Sequence, residues 1–414
     1  MTDVSIIQQP KLRNLDVRPI LQQGRPYLLL RDPLQVTEKP MLLPQPLASA
    51  LAFCNGECTV DEIADQYKRH HGFPLEMAYF CKMIATLDET YLLDNERSAE
   101  AHYRALMAYR GAPSRPPFLA GQSYPATPQG LEAYFNGYLA DVIPQNRTSV
   151  SQPMGRGLLS PHIDYQRGGA VYAQVWQRAA ETARNVDLVI MFGTDHYGTD
   201  LFTLTRQHYA TPYGILPTPL SIVDALASEI GDEAAYAGEL RHKGEHSLEL
   251  VATWLHHMRG GRPCELVPIL VGGFHSFMHD NISPEDHPHI QSILRILYSH
   301  MQNKNVLVVA SGDMAHVGPA FGGEPLSSAE RKKLRKHDDA LLSAMKQGNS
   351  VGFFKSICAV EDRNNVCGVS PIYLTMRLLE MNGGQIRGEQ HGYDVCPADE
   401  QGSSVVTISG VLFS

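Results

Sequence analysis

No apolar run in the sequence approaches the roughly 18 residues that a membrane-spanning helix requires, so no membrane partner is expected. The first residues, MTDVSIIQQPKLRNLDV, lack a basic stretch followed by an apolar core. No secretory signal is therefore expected, and a cytoplasmic location is the expectation. Positive charge is scarce: 35 Lys and Arg stand against 44 Asp and Glu, a formal net charge of −9. An acidic chain repels phosphate backbones, which argues against nucleic acid as a partner. Neither a GxxxxGK phosphate loop nor a GxSxG nucleophile elbow is present. Cysteines number seven, an odd count spread over the whole length. Without an export signal they are expected to be reduced thiols, and a reduced thiol can ligate a metal.

What is present is globular in balance, with 43% apolar and 19% charged residues in 414. That length suits two domains. Residues 111–129, GAPSRPPFLAGQSYPATPQ, read as a linker. The predicted domains are residues 1–112 and 117–414. In the first, Tyr27–Leu30 is a predicted strand, Pro46–Phe53 a helix, and Thr59-Val60-Asp61-Glu62 a capping box opening a helix that ends near Gly72. A further helix runs from Leu75 to about Leu87, with a return strand at Tyr91–Leu93. Three short helices with small strands suggest a winged-helix module. Between Pro26 and Glu96, however, five Lys and Arg face eleven Asp and Glu, the wrong sign for a DNA-reading face. The pattern resembles the small peptide-recognition domains related to PqqD. An interaction or lid domain is the plainer alternative.

The second domain alternates buried strands with amphipathic helices. Strands are predicted at Gly157–Ser160, Val186–Phe192, Leu266–Val271, Val306–Ala310 and Val405–Phe413. Helices are predicted over Gly169–Thr182, Leu220–Ile230, Ser247–Met258, Ile290–Met301, Ser328–Met345 and Pro371–Met381. Continuous β-branched runs between helices point to an α/β fold, with a mixed, mainly parallel central sheet flanked by helices on both faces.

Polar residues follow three of these strands: Ser160-Pro161-His162-Ile163-Asp164-Tyr165, Gly193-Thr194-Asp195-His196-Tyr197 and Ser311-Gly312-Asp313-Met314-Ala315-His316. Ligands of open α/β sheets bind beyond the carboxyl ends of the strands, so three such loops are expected to converge on one crevice. Histidine and thiolate are strong ligands for iron, copper and zinc, and nearby carboxylates can ligate or fix a tautomer. Polar caps that merely satisfy loop backbone are the structural alternative.

These loops, in order, resemble the motifs of the MEMO family, which includes the bacterial AmmeMemoRadiSam system protein B. The likeness spans about 118–414. Ala120-Gly121-Gln122-Ser123-Tyr124 is similar to the family's AGSWY start, Pro161-His162-Ile163-Asp164-Tyr165 to PHAGY, and Gly193-Thr194-Asp195-His196-Tyr197 to GPSHH. Glu245-His246-Ser247-Leu248-Glu249 is similar to EHSIE, the segment beginning Ser311-Gly312-Asp313 to SSDFCHWG, and Val366-Cys367-Gly368 with Pro371-Ile372 to ICGRHPI. Departures fall at Ile163-Asp164, Thr194-Asp195, Val317 and Val369-Ser370, and they put an extra carboxylate, Asp164, close to the expected metal. The resemblance implies the fold of class III extradiol dioxygenases, with the added N-terminal domain outside the minimal core. It implies His162, His196 and Cys367 as metal ligands, leaving positions open for substrate or O₂.

Two histidines and one anionic ligand suit non-haem iron; the softer thiolate makes copper or zinc the alternatives. A helix starting near Pro371 is expected to lower the Cys367 pKa, although a small buried Cys at a helix start is the bland reading. His316 is expected as general acid/base with an ordinary pKa near neutrality, with Asp313 orienting it or bonding a ligand. His246 is read either as a substrate-pocket residue or as a helix cap; Tyr165 and Tyr197 either bond substrate or pack. Lower-ranked candidates are His275 with His279, His256-His257 read as surface, Cys54, Cys58 and Cys81 with His70 or His71 as zinc ligands, and the basic run Arg331–Lys336. The expected function is a metal-dependent, dioxygenase-like redox protein acting on a small molecule or peptide. By resemblance its partners are a radical-SAM protein and an AMMECR-type protein. A zinc-dependent hydrolase and a non-catalytic scaffold are the alternatives.

Overall fold

A computed structural model describes residues 7–37, 39–142, 155–279, 282–302, 304–381 and 385–414. The chain divides into two compact units, residues 1–112 and 113–414.

In the first unit, strands β1 (Asp16–Gln22), β2 (Arg25–Arg31) and β3 (Met41–Pro44) form an antiparallel sheet in that order. Gln23 and Gly24 join β1 to β2 with φ of 52° and 73°, the left-handed pair that a tight hairpin needs. The helix Val60–His71 has the expected capping box, with Thr59 and Glu62 each accepting from the other's backbone N–H, and Gly72 ends it at φ 78°. The helices Met77–Glu89 and Glu96–Gly111 follow. Leu30, Ile63, Tyr67, Phe80 and Leu87 form the core. Tyr91–Leu93 does not return as a strand; Leu93 makes a single bridge to Leu12. Arg13 explains that return instead, donating to the Tyr91 carbonyl and to the buried Asp32 carboxylate.

The second unit is built on one sheet. Its strands are β4 (Gly157–Ser160), β5 (Leu188–Thr194), β6 (Phe202–Thr203), β9 (Glu265–Val271), β10 (Val306–Ser311), β11 (His316–Val317), β12 (Gly388–Pro397) and β13 (Val405–Phe413). The order is β11-β13-β4-β10-β5-β9-β6, with β12 beside β13. Strands β4, β10, β5 and β9 are parallel to one another, whereas β13, β12, β11 and β6 pair antiparallel. β7 (Tyr209–Thr211) and β8 (Gly214–Leu216) form a separate hairpin.

Both sheet faces are covered, and β5 shows why its sequence is apolar throughout. Leu188, Ile190 and Phe192 enter one core, while Val189 and Met191 enter the other. With a side-chain period of two, only a strand buried on both sides needs such a run. The helices Tyr165–Arg178 and His246–Met258 pack one face; Pro288–Met301 and Val369–Glu380 pack the other. The start of the unit is tied down by charge. Arg115 and Glu249 form a fully buried pair at 2.6 Å, and Glu249 also accepts from the backbone N–H of Phe118 and Leu119 and from the Tyr124 hydroxyl. Such a pair holds geometry, because losing either partner strands a buried charge.

Candidate metal centre

Three neighbouring parallel strands, β4, β10 and β5, end side by side, and each is followed by one of the histidine loops. The chain leaves β4 at Ser160 and reaches His162. It leaves β5 at Thr194 and reaches His196, and it leaves β10 at Ser311 and reaches Asp313 and His316. Cys367 precedes the helix Val369–Glu380, which packs beneath these strands. Its loop is bonded to both sides: Gly368 N–H donates to the Asp313 carbonyl, and the Thr194 hydroxyl to the Cys367 carbonyl. Gly312 and Gly368 cross so closely that a Cβ on Gly312 would lie 2.6 Å from the Gly368 Cα.

The hydrogen bonds fix each imidazole in the same tautomer. Ser311 Oγ donates its one proton to the Ser247 carbonyl, so it accepts from His162 Nδ1 at 3.3 Å. His162 Nε2 is left facing the Cys367 thiol at 3.1 Å. Glu245 Oε1 accepts from His196 Nδ1 at 3.0 Å and from His246 Nδ1 at 3.1 Å. His316 Nδ1 meets the Met314 and Asn365 carbonyls at 3.3 and 3.2 Å. In all four rings Nδ1 carries the proton and Nε2 is the ligating or basic atom.

Two sets of ligand atoms lie within 4.8 Å of one another: His162, His196 and His246, and His162, Asp313 and Cys367. Among the described residues these are the only such groups, so Cys54, Cys58, Cys81, His70 and His71 do not assemble into one. His162 is sealed in the interior, while the side chains of His196 and His246 keep 24% and 35% exposure, so solvent reaches the cluster from their side.

Burial governs the electrostatics. It holds the His162 pKa well below the imidazole range, aided by His196 and His246 nearby, so the ring is neutral with a free lone pair. Burial also opposes charge on His196, but the Glu245 carboxylate and the Cys367 contact outweigh it and raise that pKa well above the ordinary value. Glu245, despite its burial, is held well below the carboxylate range by His196 and His246. A metal arriving at His196 must therefore displace a proton. Asp313 is pushed up to about 6 by burial, against the pull of the His162 backbone N–H.

Several sequence expectations change here. Asp164 lies away from the cluster: it caps the helix Tyr165–Arg178 and pairs with Arg167. Asp313 does not orient His316; its carboxylate accepts from the backbone N–H of His162 and Ile163. His316 is pushed down to about 4 by burial and by the neighbouring His196, so it is neutral at pH 7. The Cys367 thiol is raised, chiefly by burial, which exceeds any help from the helix start. The cap beside His246 is Glu245, which accepts from Ser247 N–H. Tyr165 is fully buried and donates to the Leu250 carbonyl, a packing role, whereas Tyr197 is half-buried beside His196. His256 is not on the surface: it is buried between the Thr211 hydroxyl and the Gly261 carbonyl, and His257 is half-buried against the Tyr213 hydroxyl. His275 and His279 are exposed on a short helix, and Arg331–Lys336 is a solvated helix face apart from buried Leu334 and half-buried Arg331, which donates to the Gly402 carbonyl.

Glu245 is the residue that sequence reasoning passed over. It stands in a motif already singled out, but only the fold shows that it is fully buried and serves two rings. The loop before Cys367 is a second such feature. Glu361, Asp362 and Asn365 all have positive φ, and its backbone accepts the His316 N–H and ring. Behind this loop lies a cavity of about 290 Å³, lined by His337, Leu341, Ile357, Val360 and Val366 among others, none of which belongs to either ligand set.

A model of the Memo-like protein family matches residues 115–411. A MEMO1 family protein of Aquifex aeolicus is 25% identical over 411 residues, 98% of this chain and 100% of the relative. One from Methanosarcina acetivorans is 27% identical over 273 residues, covering 65% of this chain and 88% of its own length. One from Nitrosopumilus maritimus is 25% identical over 306 residues, covering 72% and 99%. The family match takes in every loop that builds the cluster, from His162 to Cys367, and the chain belongs to the Memo-like protein family.

Proposed function

We propose that this protein holds one redox-active metal ion, iron or copper, on His162, His196 and Cys367, and uses it in a dioxygenase-like reaction on a small molecule or peptide. The observation that carries this reading is the common tautomer of the four imidazoles. Each Nδ1–H is taken by a protein acceptor, which turns Nε2 toward a ligand, a proton or, at His162, the Cys367 thiol. The donor set fits a transition metal, since imidazole and thiolate suit iron, copper and zinc and not the hard oxygen-seeking cations. A redox-active ion held there supplies one-electron chemistry and a Lewis-acidic centre.

The protein's own residues do the rest. His162 and its loop are fixed by Ser311 and Asp313. In this reading His316, neutral at pH 7 and held at Nδ1 by two carbonyls, accepts a proton at Nε2 from a bound substrate. Rim-side exposure of His196 and His246 provides the approach. A radical-SAM protein and an AMMECR-type protein remain proposed partners of the same pathway.

Anaerobic purification with elemental analysis tests the reading. About one iron or copper per chain is expected, lost in His162→Ala. Stoichiometric zinc would move the reading to hydrolysis by a zinc-bound water, and a wild-type chain that takes up no transition metal on titration would end it.

A further inference from the structure

The reading above assigns the third ligand to Cys367 and leaves His246 unexplained. His246 does not cap its helix, because Glu245 does so. It is not buried packing, since its side chain keeps 35% exposure. It is nevertheless held as firmly as His196. The two rings stack at 4.6 Å with 21° between their planes, and both Nδ1 atoms share Glu245 Oε1. One carboxylate thus holds two stacked imidazoles by Nδ1 beside the same neighbour, His162.

We propose that His246 is a metal ligand and that the ion is shared between two three-ligand faces that have only His162 in common, one completed by His196 and His246 and the other by Asp313 and Cys367. One face is all nitrogen: His162, His196 and His246. The other carries the thiol and a carboxylate: His162, Asp313 and Cys367. The two differ in softness. Thiolate selects Cu(I), whereas imidazole suits Cu(II) and iron. The nitrogen face is the more exposed, with Cys367 reached from within. The oxidised ion is held by the nitrogen face at the rim, and the reduced ion by the thiol face. Because Glu245 spans both rim histidines, it sets the strength of the first face without touching the second.

This inference rests on the reading that the cluster holds one redox-active ion, replaces the fixed set of His162, His196 and Cys367 by two sets, and is separated from that reading by copper. Cu(II) and Cu(I) are titrated anaerobically, against a chelator of each oxidation state, into wild type, Cys367→Ala, His246→Ala, His246→Gln and the Cys367→Ala/His246→Ala double variant. Circular dichroism checks that each is folded, and His246→Gln stands in if His246→Ala is not. Cys367→Ala is expected to keep about one Cu(II), with nitrogen hyperfine structure in its paramagnetic resonance spectrum, and to lose at least about 10–100-fold in Cu(I) affinity. The His246 variants are expected to do the reverse, and the double variant to lose both ions. Unchanged Cu(II) affinity and hyperfine structure in the folded His246 variant, with both ions lost in Cys367→Ala, overturn the two-face sharing and leave the metal reading standing. A wild type that binds neither ion overturns both.

Discussion

Glu245 is a single carboxylate that accepts from two imidazoles and two backbone N–H groups while fully buried. Its charge, more than its shape, makes both Nε2 atoms better donors. Glu245→Gln is therefore expected to weaken metal binding about 10–100-fold, read by chelator competition, with a folded circular dichroism spectrum. At this scale the sequence was legible where residue type and position coincide. His162, His196, Asp313 and Cys367 fall in two ligand-atom sets that share His162, and His316 in neither; each of the four follows a strand or precedes a helix that an apolar run announces. It was not legible where burial decides. Nothing in a string of letters says that Glu245 is sealed, that His256 is buried against Thr211, or that burial raises the Cys367 thiol when a helix start argues for lowering it.

Two glycines at the ends of two elements set how closely the thiol approaches the histidines. A methyl group on Gly312 would sit 2.6 Å from the Gly368 Cα, and the obstacle is backbone rather than a flexible side chain. Gly312→Ala is expected to push the Cys367 loop off Asp313, lowering metal occupancy in a protein that still melts cooperatively. Elemental analysis beside a thermal melt reads both. The elements that were legible are those with a simple pattern. β5, β9 and β10 are largely apolar runs, and β13 is apolar apart from Thr407, Ser409 and Gly410, because both their faces are covered. β12, with the sequence GEQHGYDVCP and a half-exposed face, carries no such signal and exists because β13 pairs with it. β1 and the very short β6, β7 and β8 are likewise defined by partners rather than by their own residues. The helix expected from Gly169 starts four residues sooner, at Tyr165, because Asp164 caps it.

Across the whole molecule, buried histidines away from the cluster couple stability to pH. His242 is lowered from 6.5 to about 3 and His256 from 6.5 to about 4, each by burial. The folded chain refuses protons that the unfolded chain accepts, so their contribution is fully present above pH 6.5 and declines as pH falls below it. Each histidine contributes a slope of up to about 1.4 kcal/mol per pH unit, exhausted near pH 4 for His256 and near pH 3 for His242. Urea midpoints measured from pH 7 to pH 4 should therefore fall, and His256→Gln should flatten the decline from a lower starting stability.

The sheet has a consequence for time as well as for place. β4 pairs with β10 and with β13, and the His162 and Cys367 side chains that meet beside it are separated by 205 positions in the chain. Contacts so distant in sequence form late, after the cost of closing long loops has been met. The ligand cluster is thus a product of folding and cannot seed it. An ion that binds the finished cluster alone will slow unfolding as its concentration rises and leave the refolding rate where it was.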